Sequence, residues 1–155
     1  MNATVEKSGW PVNATMEKFG WPTSRIAALD HWVVALRPAQ PVACSLVVIA
    51  REPVTAFGDL SPAAFGELAE VTRRVEALAR RETAYDRINW LMLMMVDPDV
   101  HFHVLPRYNG SRDLAGHTLE DVGWPGPPRL DSGVTLTSDE IASAAARLAG
   151  IWDRG

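Results

Sequence analysis

The sequence has almost no cysteine and no long apolar run. Cys44 is the one cysteine among 155 residues, so an internal disulfide framework and a multi-cysteine zinc site are both excluded. The longest segment without a charged residue, 38–50, is shorter than the roughly 18 apolar residues that a membrane span needs. Charged residues interrupt any apolar core near the N-terminus, so we expect no signal peptide. These features predict a reduced, cytoplasmic protein that does not bind membranes.

The sequence also lacks an excess of positive charge. It has 15 Lys and Arg against 19 Asp and Glu, which gives a net charge of −4. This balance argues against nucleic acid as a partner, since a nonspecific binder needs a broad basic face. The length suits one domain, and a hydrophobic content of 47% is sufficient for an ordinary core.

A tandem duplication opens the chain. Residues 1–11 read MNATVEKSGWP and residues 12–22 read VNATMEKFGWP. Two such short copies are too few for a solenoid. We expect residues 1–11 to be loosely ordered and the second copy to lead into the domain. The predicted organisation is a duplicated, partly disordered segment over residues 1–22 and a single domain over residues 23–155.

The remaining pattern predicts an α+β domain. Apolar runs indicate strands at 31–36 and 45–50, joined as an antiparallel hairpin. Ser61-Pro62 begins a helix to about residue 80, whose buried stripe includes Phe65 and Val75. Thr137-Ser-Asp-Glu140 is a capping box that begins a helix to about residue 153.

Two further strands and one irregular segment complete the prediction. We expect strands from Arg87 to about Val96, with its methionines in the core, and over residues 100–108. Residues 109–133 are expected to be irregular, because glycine and proline are frequent there. The order β-β-α-β-β-α favours an antiparallel sheet of about five strands with two main helices.

The segment Asp97-Pro-Asp-Val-His-Phe-His-Val-Leu-Pro-Arg107 carries the most chemical information. Residues two apart on a strand share a face. This spacing predicts one face with two imidazoles and two carboxylates, from Asp97, Asp99, His101 and His103. The pattern by itself is equally consistent with a metal site and with a histidine nucleophile or acid–base pair.

Val100-His-Phe-His-Val-Leu-Pro-Arg107 resembles the signature of the histidine triad (HIT) family, His-φ-His-φ-His-φ-φ, where φ is apolar. The upstream run Pro41-Val-Ala-Cys-Ser-Leu-Val-Val-Ile-Ala50, followed by Pro53-Val and Phe57-Gly-Asp-Leu60, is similar to the family's strand, turn and helix lead-in. The similarity covers roughly residues 30–108. The sequence also resembles a bacterial branch of HIT-like proteins with Asp-Pro-x-Val-His-Phe-His before Pro-Arg, and the resemblance implies a HIT-like fold.

The resemblance implies specific catalytic roles. The middle histidine of the family attacks the α-phosphorus of a nucleotide and forms a nucleotidyl-histidine intermediate. By position, that residue is His101, and His103 donates to the phosphate oxygens. Asp99 stands where the family has its first histidine, and we expect it to orient an imidazole or to hold it protonated.

Further expectations follow from the same resemblance. Asn89, Ser45 (in place of a family histidine) and Arg107 are candidate substrate-binding residues, and the substrate is a nucleotide or a dinucleoside polyphosphate. We expect no cofactor, no metal and a homodimer formed through a strand and the first long helix. The expected activity is that of a nucleotide hydrolase or nucleotidyl transferase. The alternatives are a nucleotide-binding or regulatory module without turnover and a metal-dependent hydrolase that uses Asp99, His101 and His103.

Overall fold

The computed structural model describes residues 9–155. The predicted loose order of residues 1–11 therefore falls mainly on residues 1–8, which lie outside the described part of the chain. Three helices and nine strands follow one another in this order: α1 (Ala14–Lys18), β1 (Arg25–Ala28), β2 (Trp32–Leu36), β3 (Ala39–Gln40), β4 (Leu46–Ala50), α2 (Pro62–Thr83), β5 (Arg87–Leu91), β6 (His101–Arg107), β7 (Ser111–Leu114), β8 (His117–Glu120), β9 (Val134–Thr135) and α3 (Ser138–Arg154). A short 3₁₀ turn, Phe57–Asp59, precedes α2.

A five-stranded antiparallel sheet with the order β1-β2-β4-β6-β5 forms the centre of the molecule. The predicted hairpin is confirmed, since β2 pairs with β4 from Trp32 opposite Ala50 to Leu36 opposite Leu46. All ten residues of these two strands are buried, which explains why both are continuous apolar runs rather than alternating ones. The α+β class and the sheet of five strands are as predicted.

The strand predicted over residues 87–96 is too long. It ends at Leu91, and the backbone takes a left-handed conformation at Met94, with a φ of 53°. Because a strand cannot continue through that conformation, the strand could not have extended to residue 96. Met95 is 85% exposed and is therefore not part of the core. We call residues 92–97 the methionine loop.

The segment predicted to be irregular, 109–133, contains a β-hairpin. Strands β7 and β8 pair with Leu114 opposite His117. The two connecting residues, Ala115 and Gly116, both have positive φ, the geometry that a two-residue hairpin turn requires. Ala-Gly is an unusual sequence for such a turn, so the prediction missed it.

Helices α2 and α3 cover one face of the sheet. Ser61 caps α2 by accepting a hydrogen bond from the amide of Ala64, and the capping box of Thr137 and Glu140 opens α3, both as predicted. The predicted buried stripe of α2 is wrong at one end. Phe65 is 40% exposed and packs on Phe57, and Ala64 is the buried residue in that turn.

The second copy of the duplication covers the opposite face. It forms α1, capped by the side chain of Asn13. The side chains of Met16, Phe19 and Trp21 are buried against four sheet residues, which are Val33, Ala35, Val47 and Ile49. The domain boundary between residues 22 and 23 stays a prediction. Over residues 9–155, none of the helices has the length and apolar character needed to cross a membrane.

Candidate active site

The two histidines of β6 lie on the sheet face that α1 partly covers. His101 is opposite Ile49 of β4, and His103 is opposite Val47 of β4 and Leu91 of β5. Phe102 lies between them on the other face, against the helices. The two aspartates of the motif precede the strand, which begins only at His101. Their positions are therefore set by the loop and not by strand alternation.

The two imidazoles form a compact pair beside Phe19. Their ring centroids are 5.1 Å apart and their planes are nearly perpendicular, at 82°. The ring of Phe19 lies 6.1 Å from the ring of His101 and 5.6 Å from that of His103. Both histidines are buried, at 2% and 8% exposure. The α1 segment thus supplies an aromatic wall that excludes water from one side of the pair.

The hydrogen bond of His101 selects its tautomer. Its Nδ1 atom is 2.7 Å from the backbone carbonyl oxygen of Asp99. A carbonyl oxygen can only accept a hydrogen bond, so Nδ1 carries the hydrogen. In the neutral ring, Nε2 then holds a free electron pair. This is the form of imidazole that acts as a nucleophile.

The side chain of Asp99 contacts α1. Its Oδ2 atom accepts hydrogen bonds from the backbone amide of Thr15 at 3.1 Å and from the Thr15 hydroxyl at 2.8 Å. The amide of Asp99 donates to the same hydroxyl at 3.2 Å. The backbone of Asp99 therefore orients His101, while its carboxylate ties the loop before β6 to the second copy of the duplication.

Charged residues surround a cavity of about 200 Å³ at the imidazole pair. Lys18 and Arg37 line it, and the Lys18 ammonium forms an ion pair with Asp97 at 2.6 Å. Burial is the main cause that lowers the pKa of His103 to about 4, and the positive charge of Arg37 acts in the same direction. Asp97 acts against them. At neutral pH, His103 is therefore an uncharged imidazole that can donate one hydrogen bond.

We call this cavity the histidine cleft. It is lined by Phe19, the imidazole pair, the two cations and the methionine loop. No motif in the sequence predicted Lys18, Phe19 or Arg37 as site residues. The duplication does distinguish Phe19. The two copies differ at three positions, and at one of them the first copy has Ser8 where the second has Phe19.

The predicted substrate-binding residues occupy two other places. Ser45 is fully buried on the same sheet face, and its hydroxyl donates to the carbonyl of Val42 at 2.6 Å. Asn89 and Arg107 lie together, with 2.9 Å between the Arg107 Nη1 and the Asn89 Oδ1. Arg107 also donates two hydrogen bonds to the carboxylate of Asp121. The structure thus brings Asn89 next to Arg107, outside the lining of the histidine cleft.

Cys44 lies in the turn before β4. Cys44 is buried and has a φ of 63°, a left-handed conformation that favours glycine. Burial raises the pKa of its thiol to about 12, so the thiol is not a reactive group at neutral pH. Among residues 9–155, no three His, Cys, Asp or Glu side chains come together as a metal site.

The HIT domain family model matches residues 22–110. The chain belongs to the HIT domain family. A histidine triad protein from Sinorhizobium meliloti is similar in structure, with 20% identity, a TM-score of 0.70, and 94% of this chain and 98% of that chain covered. A histidine triad protein from Marinobacter aquaeolei has 18% identity and a TM-score of 0.70, with 94% and 97% covered.

A zinc-bound histidine triad family protein from Mycobacterium smegmatis is a more distant match. It has 19% identity and a TM-score of 0.52, with 88% of this chain and 94% of that chain covered. No curated protein matches the chain. HIT proteins generally bind nucleotides and act on them, although some members are not catalytic.

Proposed function

We propose that this HIT protein is a nucleotide hydrolase or nucleotidyl transferase in which His101 attacks the α-phosphorus of the substrate. The observation that carries this proposal is the hydrogen bond between the His101 Nδ1 and the Asp99 carbonyl oxygen. It leaves the electron pair of Nε2 free for attack, and it stabilises the ring as positive charge develops on it. The proposed substrate is a nucleotide or a dinucleoside polyphosphate, and the reaction uses neither a cofactor nor a metal.

The reaction has two steps. In the first, the Nε2–phosphorus bond forms while the bond from phosphorus to the leaving group breaks, and the leaving group departs with the electron pair. In the second, water attacks the phosphorus of the nucleotidyl-histidine, the nitrogen–phosphorus bond breaks, and a nucleoside monophosphate is released. A different acceptor in place of water would give nucleotidyl transfer.

The other residues of the histidine cleft stabilise the charge of the phosphate. We assign to His103 a hydrogen bond to a non-bridging phosphate oxygen, because it is neutral at pH 7 and has one N–H to donate. Arg37 supplies positive charge in the same cavity, where the ammonium of Lys18 is paired with Asp97. Asp99 acts as a positioning residue: its carbonyl holds the nucleophile, and its carboxylate holds α1, which carries Lys18 and Phe19.

One observation favours the alternative of a binding or regulatory module. The first position of the triad is Asp99, and both of its hydrogen-bond partners at the carboxylate belong to Thr15. The protein therefore lacks a third imidazole that could protonate the leaving group. A leaving group of low basicity does not need that proton. The missing imidazole therefore restricts which substrates react and does not by itself abolish turnover.

The test is His101→Ala, with dinucleoside polyphosphates as substrates, because their leaving group is of low basicity. We expect the variant to lose turnover completely and to keep its fold. His101→Gly should recover part of the activity on addition of free imidazole, since imidazole can occupy the space left by the side chain and attack in its place. Mass spectrometry of the rapidly quenched wild-type protein should find the nucleotidyl group on His101.

His117→Ala is the matched control. His117 lies on β8 and bonds to Glu140 of α3, outside the histidine cleft, so we expect its removal to leave turnover unchanged. Full activity in His101→Ala would exclude the covalent mechanism. Tight nucleotide binding by the wild-type protein without turnover of any substrate would establish the binding module instead.

A further inference from the structure

Three polar side chains hold the second copy of the duplication on the protein. Asn13 donates a hydrogen bond to the carbonyl of Ala50 at 3.0 Å, and its side-chain oxygen caps α1. Thr15 binds the carboxylate of Asp99 through its amide and its hydroxyl. The third is Lys18, through the ion pair with the carboxylate that precedes β6. These contacts fix where the segment lies on the sheet.

The first copy of the duplication has the same three side chains at the same spacing, as Asn2, Thr4 and Lys7. Each lies eleven residues before its counterpart. Gly9 and Gly20 form a further matched pair, and their backbone φ angles are nearly equal, at 82° and 83°. The first copy therefore carries every side-chain group that these contacts use.

The second copy lies on one defined surface, which we call the α1 docking surface. It consists of four apolar residues of β2 and β4 and two carboxylates of the loop before β6, which are Val33, Ala35, Val47, Ile49, Asp97 and Asp99. Apolar burial and charge pairing thus act together on this surface. A segment that binds it needs both kinds of group in one order along the chain.

The two copies differ in the apolar side chains that face this surface. The first copy has Val5 where the second has Met16, and Ser8 where the second has Phe19. Valine and serine bury less apolar area than methionine and phenylalanine, so the second copy is the preferred occupant. Phe19 is also the wall of the histidine cleft. A serine at its place would leave that side of the imidazole pair open.

The connection to β1 allows the chain to exchange one copy for the other. With Pro11 at the place of Pro22, residues 12–22 become a loop of eleven residues inserted before Thr23. Pro22 and Thr23 are exposed, so this loop emerges into solvent and displaces no packed residue. The entropic cost of closing a loop increases only slowly with its length.

We propose that residues 1–11 bind the α1 docking surface of the same chain in place of residues 12–22, as a second and less populated register. In this register Thr4 binds Asp99 and Lys7 pairs with Asp97, so the loop before β6 stays attached. Ser8 takes the place of Phe19, and the histidine cleft loses its aromatic wall. The proposal is independent of the chemistry proposed for the imidazoles.

The experiment transfers the apolar side chains from the second copy to the first. Met16→Val with Phe19→Ser gives a weakened protein, and adding Val5→Met with Ser8→Phe gives an exchanged protein. We expect the weakened protein to unfold at lower denaturant concentration than the wild type and the exchanged protein to recover most of that loss. An exchanged protein that is no more stable than the weakened one would overturn the proposal.

The two threonines identify which copy is bound. In the wild-type protein, Thr15→Val should lower the free energy of unfolding while Thr4→Val leaves it unchanged. In the exchanged protein the two effects should be reversed, because Thr4 then binds Asp99. Thr55→Val, at an exposed threonine of a distant loop, is the control and should have no effect in either protein. If Thr4→Val has no effect in the exchanged protein, the recovery comes from another contact and the proposal is wrong.

NMR locates the exchanged segment directly. The ring introduced by Ser8→Phe should show nuclear Overhauser contacts with His101 and His103 in the exchanged protein. These contacts, and the recovered stability, should persist on dilution. Their loss on dilution would mean that the first copy binds another molecule, and it would overturn docking within one chain.

The wild-type protein provides the last test. Saturation-transfer NMR at the amide of Thr15 should detect a minor state, in which residues 12–22 have left the α1 docking surface. Thr4→Val should deplete this state, since it weakens only the alternative register. The absence of a minor state, or a minor state that Thr4→Val leaves unchanged, would exclude the second register in the natural sequence.

Discussion

At the position of Asp99, the backbone and the side chain contact different parts of the protein. The carbonyl oxygen holds the His101 ring, and any residue type at this position would supply it. The carboxylate binds Thr15, and this contact depends on the side chain. The departure from the histidine triad thus leaves the tautomer of the nucleophile unchanged. The departure changes the contact that the side chain at the first position of the motif makes.

His103 gives a prediction about pH. Its pKa in the folded protein, about 4, lies below the value of 6.5 for an ordinary histidine. Between these values the unfolded chain binds a proton that the folded protein does not, so this residue contributes a loss of stability as the pH falls from about 6.5 towards 4. Above 6.5, both states are neutral at this position and the loss is absent.

The measurement is an NMR titration of His103 together with the free energy of unfolding at pH 7 and pH 5. Carboxylates also titrate in this range, so the wild-type protein is compared with His103→Asn. We expect the variant to lose less stability between the two pH values. A His103 midpoint near 6.5 in the folded protein would contradict the prediction.

At the scale of elements, α1 is the part that the sequence pattern does not predict. A helix of five residues does not form in isolation, because nucleation costs more than so few hydrogen bonds return. It forms here because Met16, Phe19 and Trp21 bury apolar surface on the sheet. The first copy has Val5 and Ser8 in place of Met16 and Phe19. Trp21 is matched by Trp10, so the two copies differ at two of the three apolar positions that α1 and the residues after it bury on the sheet.

The contact between Asp99 and Thr15 can be measured by a double-mutant cycle with Asp99→Asn and Thr15→Val. Hydrogen bonds to a charged group contribute about 1.5–3 kcal/mol each when intact. We expect each single variant to lower the free energy of unfolding and the double variant to lose clearly less than the sum. We also expect KM to rise in both, because a loosened α1 no longer holds Lys18 and Phe19 in the histidine cleft.

A histidine titration separates this positioning role from an electrostatic one. If the Asp99 charge held an imidazole protonated, Asp99→Asn would lower the imidazole pKa while Thr15→Val would not. We expect no such difference between the two variants. Thr55→Val, at an exposed threonine in the loop before α2, is the control for the loss of a hydroxyl and should change neither stability nor KM.

The elements that were predicted correctly share one property, which is that local sequence determines them. The apolar runs of β2 and β4 indicate buried strands that are neighbours in the chain, and the starts of α2 and α3 are capped by side chains within the same segment. The β7–β8 hairpin was missed because its Ala-Gly turn is unusual, whereas β3 was missed because it depends on a distant partner. The two-residue strand β3 exists only because β9, almost a hundred residues later, pairs with it.

The same distinction applies to the site. The motif identified the two histidines, which are neighbours on one strand. Lys18 and Arg37 come from segments far away in the chain, and only the fold brings them to the imidazoles. Nothing in the spacing indicates that Asp121 would bind Arg107 and neutralise it.

At the scale of the whole molecule, the sheet has an edge at β5. Within residues 9–155, β5 pairs with β6 on one side and with no strand on the other. Its unpaired backbone groups can bind another strand. The methionine loop that follows it exposes apolar side chains, with Leu93 at 49%, Met95 at 85% and Val96 at 81%. Exposed apolar groups beside an open edge favour a contact between protein chains.

We expect a two-fold homodimer in which β5 of one protomer pairs antiparallel with β5 of its partner, and in which α2 contributes to the contact. Sedimentation at micromolar concentration should give the mass of a dimer. Leu93→Glu and Met95→Glu should shift the protein to the monomer, because each places a charge in the contact. Ala142→Glu, at an exposed apolar residue of α3 beside the opposite sheet edge, should remain a dimer. A wild-type monomer throughout the micromolar range would refute the dimer, and dissociation of Ala142→Glu alone would move the contact to β1.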